Sequence, residues 1–334
     1  MDKKSNYRII DSQFWLMKVL VYFLLATLFS NLLFGQTTGP EFTVIPLGVL
    51  GGGDESNLSS YMVAAGVSDN FVCLDAGTIR FGIRRAIEMG TFRTSESSVM
   101  RENIKGYLIS HPHLDHVAGL IINSPDDTDK AIYGLPFCID ILKEKYFTWK
   151  SWANFADQGD SPALAKYHYV LLDSSLETKI VGTDLYVRPF LLSHASPNLS
   201  TAFLIRNNNS YLLYLGDTGA DSLENSSRIM SLWKAVSPIV KLHALKAIFV
   251  ESSFSDEQPL NRLFGHLTPS LLMNELNQLA AFTGKNSLHN LPVVVTHIKP
   301  SEKDAVNKIK NELASKNSLE LKLVFPEQGI KIEF

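Results

Sequence analysis

The sequence is poor in cysteine: only Cys73 and Cys138 occur in 334 residues. Neither has a cysteine or histidine partner at short spacing, which excludes a thiolate zinc cage. Each lies in an apolar run, "FVCLDAG" or "GLPFCIDIL", and reads as a small buried side chain rather than half of a disulfide. Blocks of lysine and arginine are missing as well. The formal net charge is -3, and the electrostatic footprint of a nucleic-acid binder is lacking. Internal repeats, low-complexity tracts and long Gly/Ser or Pro linkers are absent too, so nothing divides the chain into several domains. With 45% hydrophobic and 19% charged residues, the composition suits one large globular domain.

Long hydrophobic runs are confined to the start. Lys3, Lys4 and Arg8 precede "FWLMKVLVYFLLATLFSNLLFG", and Gln36 follows. A basic start, an apolar stretch and a small residue are the parts of a secretory signal. Residues 1–36 are therefore expected to be a signal peptide and 37–334 the functional domain. Met17 offers an alternative start within this segment. The rival reading is an uncleaved membrane anchor, since the run nearly reaches spanning length, although Lys18 and Asn31 interrupt it. The signal reading implies an exported protein, periplasmic or secreted, with no stable membrane association after cleavage. Removing 1–36 would take away four basic and two acidic residues and leave a mildly acidic protein.

What the chain does have is a series of short strands that end at polar residues. Residues 41–48, 60–66, 70–77 and 104–110 read as strands, with a helix at 82–90 stopped by Gly90. Strands resume at 184–193, 201–206, 211–216, 245–252 and 291–297, with helices near 225–235, 268–282 and 301–315, and two short strands close the chain. The segment from 131 to 180 alternates less clearly. Many strands with helices interspersed predict two face-to-face sheets with helices outside, an α/β αββα sandwich.

The strand "YLIS" runs into His111, His113, Asp115 and His116. "RPFLLS" is followed by His194, "YLLYLG" by Asp217 and "PVVVT" by His297. Strand ends are where sites assemble in layered α/β folds. Imidazole and carboxylate donors suit zinc, with manganese and iron as alternatives. Seven such groups are too many for one tetrahedral ion and enough for two ions sharing a carboxylate. A lone histidine at a strand end is usually structural, but burying a HxHxDH cluster without a metal would be costly. His168, His243 and His289 lack this context and read as surface or packing residues.

HxHxDH followed by distant His, Asp and His resembles the metallo-β-lactamase superfamily. "HPHLDHVAGLIINSP" narrows the likeness to the class II 3′,5′-cyclic-nucleotide phosphodiesterases. "GGGDESNLSSYMV", "CLDAGT", "YGLPFCIDILKEKYFTWKSW", "LLSHASPNLSTAFLI", "YLLYLGDTGAD", "ESSF", "LFGHLTP" and "VVVTHIKP" resemble that family's blocks in the same order, from Val44 to the C-terminus. The resemblance implies a four-layer αββα sandwich and a di-metal hydrolase that opens the cyclic phosphate of cAMP or cGMP to give the 5′-nucleotide. It implies that His111, His113 and His194 hold a first ion, that Asp115, His116 and His297 hold a second, and that Asp217 bridges them. A hydroxide bridging the ions would be the nucleophile. One departure, Ala153 where the family tends to have proline, falls in a loop.

The remaining assignments are weaker in sequence terms. Asp115 could relay a proton to the leaving 3′-oxygen. His266 in "FGHLTP" is the other acid or a phosphate contact, against the alternative of packing at a helix start capped by Thr268. Ser200 and Thr201 are candidate nucleotide contacts, and Glu55 and Asn57 either line the pocket or form a turn. Phe147, Trp149 and Trp152 either stack on a purine or belong to the core. Rival functions are another hydrolase of the same fold, acting on a phosphodiester, thioester or lactam, or an envelope metal-binding protein without catalysis. A small-molecule substrate is the expected partner, and homo-oligomers are compatible with the sequence.

Overall fold

Alternation along single strands decides the layers. In β10 (Ser210–Leu215), Leu212 and Tyr214 join one apolar cluster while Leu213 and Leu215 join another. Successive side chains of a strand point to opposite faces, so a strand that is apolar throughout must be covered on both sides. The computed structural model describes residues 39–300 and 304–334, and within it Pro40–Phe334 form one compact unit. The proposed signal, residues 1–36, lies outside the described residues.

Among the described residues, fourteen strands make two sheets of seven. The first contains β1 (Phe42–Gly48), β2 (Ser60–Ala65), β3 (Phe71–Leu74), β4 (Ile104–Leu108), β5 (Lys130–Gly134), β6 (Tyr167–Leu171) and, at the other edge beside β1, β14 (Ile332–Glu333). The second contains β7 (Thr178–Lys179), β8 (Tyr186–Ser193), β9 (Leu199–Asn207), β10, β11 (Leu245–Glu251), β12 (Pro292–Thr296) and β13 (Lys322–Val324), in that order. Each sheet is antiparallel on one side and parallel on the other. β3 to β6 pair in parallel, as do β10 to β13.

Between the sheets lie Val44, Tyr61, Val63, Leu74 and Leu108 from one and Val187, Phe203, Leu212, Tyr214 and Phe249 from the other. The outer face of the first sheet is covered by helices α1 (Arg80–Glu88) and α2 (Leu114–Asn123), which contribute Ile83, Val117 and Leu120. The outer face of the second is covered by α3 (Arg228–Lys241), α4 (Pro269–Thr283) and α5 (Ala305–Lys316), through Leu232, Trp233, Leu272, Leu276, Ile309 and Leu313. The order of layers is αββα. Each fully buried Leu, Ile or Val contributes about 1.5–3 kcal/mol relative to exposure. Cys73 and Cys138 are buried free thiols. No helix among the described residues is long and apolar enough to cross a membrane.

Candidate metal centre

The expected ligands all follow the C-terminal ends of strands: β4 leads to His111–His116, β8 to His194, β10 to Asp217 and β12 to His297. Helix α2 begins inside the motif, with His113 at its N-cap. The turn Asp75-Ala76-Gly77 grips that start: Ala76 N–H donates to the His116 carbonyl, and Gly119 N–H to the Gly77 carbonyl, both at 2.8 Å. A side chain on Gly77 would collide with the Asp115 carbonyl. The glycine is therefore what lets the turn and the helix meet.

Two donor groups result. His111, His113 and His194 converge, and Asp115, His116, Asp217 and His297 converge beside them. Asp217 Oδ2 is common to both: it lies 3.0 Å from His297 Nε2, 3.3 Å from His116 Nε2, 3.8 Å from His111 Nε2 and 3.9 Å from His194 Nε2. His113 Nδ1 faces His194 Nε2 at 3.3 Å, and His297 Nε2 faces Asp115 Oδ2 at 3.2 Å.

The outer nitrogens of four of the five rings, those of His111, His116, His194 and His297, are occupied. His116 Nδ1 donates to Asp75 Oδ2 at 2.7 Å and His194 Nδ1 to the Gly265 carbonyl at 2.8 Å. His111 Nδ1 meets Ser110 Oγ, and His297 Nδ1 meets Ser253 Oγ, each at 3.0 Å. Those hydroxyls donate onward to Asp75 and Glu251, so they accept from the rings. With Nδ1 carrying the proton, each Nε2 turns a lone pair inward. His111 Nε2 and His116 Nε2 are buried and have no hydrogen-bond partner in the protein. An unpartnered buried polar group costs about 1–3 kcal/mol. Inward lone pairs without donors, gathered around carboxylates, fit divalent cations.

Charge divides the rings: burial disfavours the charged His116 ring, but Asp217 and Asp75 outweigh it and raise its pKa well above the ordinary value. Burial pushes the His111 ring well below its ordinary pKa, and burial with His194 lowers His113 to about 4, which keeps both in the neutral ligand form. Burial opposes ionisation of Asp115 and Asp217, but the imidazoles around them outweigh it and hold both below the usual carboxylate range.

A third group, His194, Asp217, Glu251 and His266, adjoins these two. Glu251, at the end of β11, is fully buried, and its Oε1 accepts from His266 Nδ1 at 2.9 Å and from Thr218 N–H at 2.8 Å. Burial disfavours the charged His266 ring, and Glu251 outweighs it and raises the pKa. Thr268 caps α4, so His266 is held at a fixed helix entry.

Two supporting carboxylates escaped the sequence reading. Asp75 accepts from His116, Ser110 and Tyr214, and Glu251 holds His266. Both carry the signal used for the ligands, an acid after an apolar run ("FVCLD", "IFVE"). The proposed substrate residues fare differently. Ser200 is fully buried, close beneath Ser110: a Cβ on Gly216 would lie 2.5 Å from Ser110 Oγ and 2.8 Å from Ser200 Oγ. Asn57 spends its Oδ1 on Val49 N–H at 2.9 Å, as part of the loop itself. Phe147 belongs to the core, and Trp149 and Trp152 donate their indole N–H to Pro162 O and Ser124 Oγ. Phe254 stands edge-on to His266 of the adjoining group, and beside His113 lie Phe137 and Tyr146. With His113, Ile141, Asn198 and Leu199 they line a cavity of about 360 Å³.

The chain matches the family model of class-II cAMP phosphodiesterases over residues 92–329. It is 39% identical to a 3′,5′-cyclic-nucleotide phosphodiesterase of Aliivibrio fischeri, covering 95% of this chain and 99% of the relative. Unliganded yeast PDE1 superposes with a TM-score of 0.77 at 24% identity, covering 88% of this chain and 100% of the other. The metallo-β-lactamase fold protein YhfI of Bacillus subtilis gives 0.57 at 17% identity, covering 87% and 99%. With its αββα layers and its histidine–aspartate cluster at the strand ends, the chain belongs to the class-II cyclic-nucleotide phosphodiesterases, a hydrolase family built on the metallo-β-lactamase fold.

Proposed function

We propose that the protein hydrolyses 3′,5′-cyclic nucleotides, cAMP or cGMP, to the 5′-nucleotides with two divalent metal ions. The observation that carries this is Asp217 Oδ2, set among four inward-facing ring nitrogens at 3.0–3.9 Å. His111, His113 and His194 would hold one ion and Asp115, His116 and His297 the other, with Asp217 shared. The donor set of imidazole and carboxylate favours zinc, with manganese or iron next. Bound there, the ions would activate water at neutral pH and neutralise charge gathering on the phosphoryl oxygens.

The chain's own residues divide the remaining work. Asp75, Ser110, Ser253 and the Gly265 carbonyl fix the tautomers of the histidines. Glu251 keeps the Nδ1 proton of His266, which leaves Nε2 to give a proton to the 3′-oxygen as its bond to phosphorus breaks. Asp115, on the more exposed side of the cluster, is the alternative relay of a proton to the 3′-oxygen. The cavity between Phe137, Tyr146 and Asn198 offers apolar walls and one amide beside His113, which suits a nucleobase.

The test is a substrate panel: the metal-loaded protein incubated with 3′,5′-cAMP, 3′,5′-cGMP, nitrocefin and a thioester. Turnover of the cyclic nucleotides with the others untouched is the expected result. Lactam or thioester cleavage without cyclic-nucleotide turnover would move the protein to another activity of the same fold. Export directed by residues 1–36 is part of the proposal, and fractionating cells that express the full chain tests it.

A further inference from the structure

The glycine run Gly51-Gly52-Gly53 lies against the segment that carries His297. Leu50 bridges to Ile298, Gly51 N–H donates to the Ile298 carbonyl at 3.2 Å, and His297 N–H donates to the Val49 carbonyl at 3.1 Å. A side chain on Gly51 would overlap the His297 ring. A Cβ on Gly52, whose φ is +56°, would lie 3.6 Å from Lys299 Nζ and 3.7 Å from Asp115 Oδ2. The ammonium and the carboxylate thus look onto one spot, and only a bare backbone leaves that spot open.

Gly51, Gly52, Gly53, Lys299 and Pro300 line a cavity of about 360 Å³ there. Lys299 is half-buried, and its backbone N–H is tied to the Ser253 carbonyl at 3.0 Å. Among the described residues its ammonium makes no ion pair and no hydrogen bond, and the N–H groups of Gly52 and Gly53 reach no acceptor. One ammonium without a partner and two open backbone donors beside a cavity are the parts of an anion site.

We infer that Lys299 and the Gly52–Gly53 backbone bind a non-bridging phosphoryl oxygen of the substrate, beside Asp115 and His297 of the candidate metal centre. The inference rests on the phosphodiester-hydrolase reading above. It makes Lys299 a catalytic residue in its own right, with a point charge where phosphoryl charge grows. The competing role is charge balance alone, with Lys299 offsetting Asp115 and touching no substrate.

The experiment uses the full chain loaded with metal, with Lys299→Met and Lys299→Arg beside the wild type. Inorganic phosphate is titrated into each, kcat and KM are measured on 3′,5′-cAMP, and metal per chain is counted. Lys299→Met should weaken phosphate binding and lower kcat/KM by about 10- to 100-fold each, the scale of one lost charge-assisted hydrogen bond. Metal content and melting temperature should stay at wild-type values, and Lys299→Arg should recover most of the phosphate affinity. Wild-type phosphate affinity in Lys299→Met would overturn the inference, and so would loss of metal as its only effect. A wild type inert on cAMP would sink the substrate reading alone, because the phosphate titration still decides the role of Lys299.

Discussion

Asp75 sits at φ +55°, a backbone region costly for a residue other than glycine, and from there it accepts hydrogen bonds from His116, Ser110 and Tyr214. On the proposed reading it aims the histidine rings without touching what they would bind. Asp75→Asn should lower metal affinity by about 10- to 100-fold while the fold survives, measurable by competition with a chelating dye. His266 calls for a different measurement. If it protonates the leaving oxygen, His266→Ala should slow cAMP hydrolysis by about 10²- to 10⁴-fold, yet barely slow a p-nitrophenyl phosphodiester, whose leaving group needs no acid. Equal losses on both substrates would make His266 a structural residue. Glu251→Gln should show the same split to a smaller degree. At this scale the sequence was legible wherever a histidine followed an apolar strand. Asp75 and Glu251 were passed over because an acid at a strand end also reads as an ordinary turn residue. The full burial of Ser200 likewise leaves no mark in the pattern.

The elements were legible where apolar periodicity was strong. β1 to β4 and β8 to β12 fall where the runs predict, because most of their residues are buried and apolar, β8 alone leaving one side (Tyr186, Arg188, Phe190) partly open. β5 and β6 were obscured. β5 starts with Lys130, buried and paired with Asp127 under the hydroxyls of Tyr107 and Tyr167, and β6 reads "YHYVL" with its histidine half-exposed. A buried ion pair disguises a strand as a loop. Helix α2 carries Asp115 and His116 in its first turn. That turn depends on close contact with Gly77. Gly77→Ala should therefore cost about 1–3 kcal/mol of stability by overpacking and weaken metal binding, seen together as a lower melting temperature and a poorer metal titration. A melting temperature unchanged from wild type would show that the turn yields without strain.

Over the whole molecule, two sheets share one interior and two helical layers seal the outside, so the ligands reach the cluster from four strands of both sheets. Stability of that frame should depend on pH through a group remote from the chemistry. Glu275 in α4 is buried against α3, with Oε2 unpartnered, and burial, helped by Asp221, pushes its pKa from 4.5 up to about 7. A carboxyl whose folded pKa is raised stabilises fully below its unfolded pKa and loses that contribution as pH rises through the folded value. Between about pH 5 and 8 the wild type should therefore lose stability relative to Glu275→Gln, and parallel melting curves across that range would contradict the assignment. The central claim is tested most directly by the product of one reaction. The protein loaded with zinc or manganese is incubated with 3′,5′-cAMP, and the nucleotides are separated. Release of 5′-AMP, abolished by chelation or by Asp217→Asn and restored to the wild type by added metal, is the result predicted. Two ions bound per chain with cAMP left intact would contradict it.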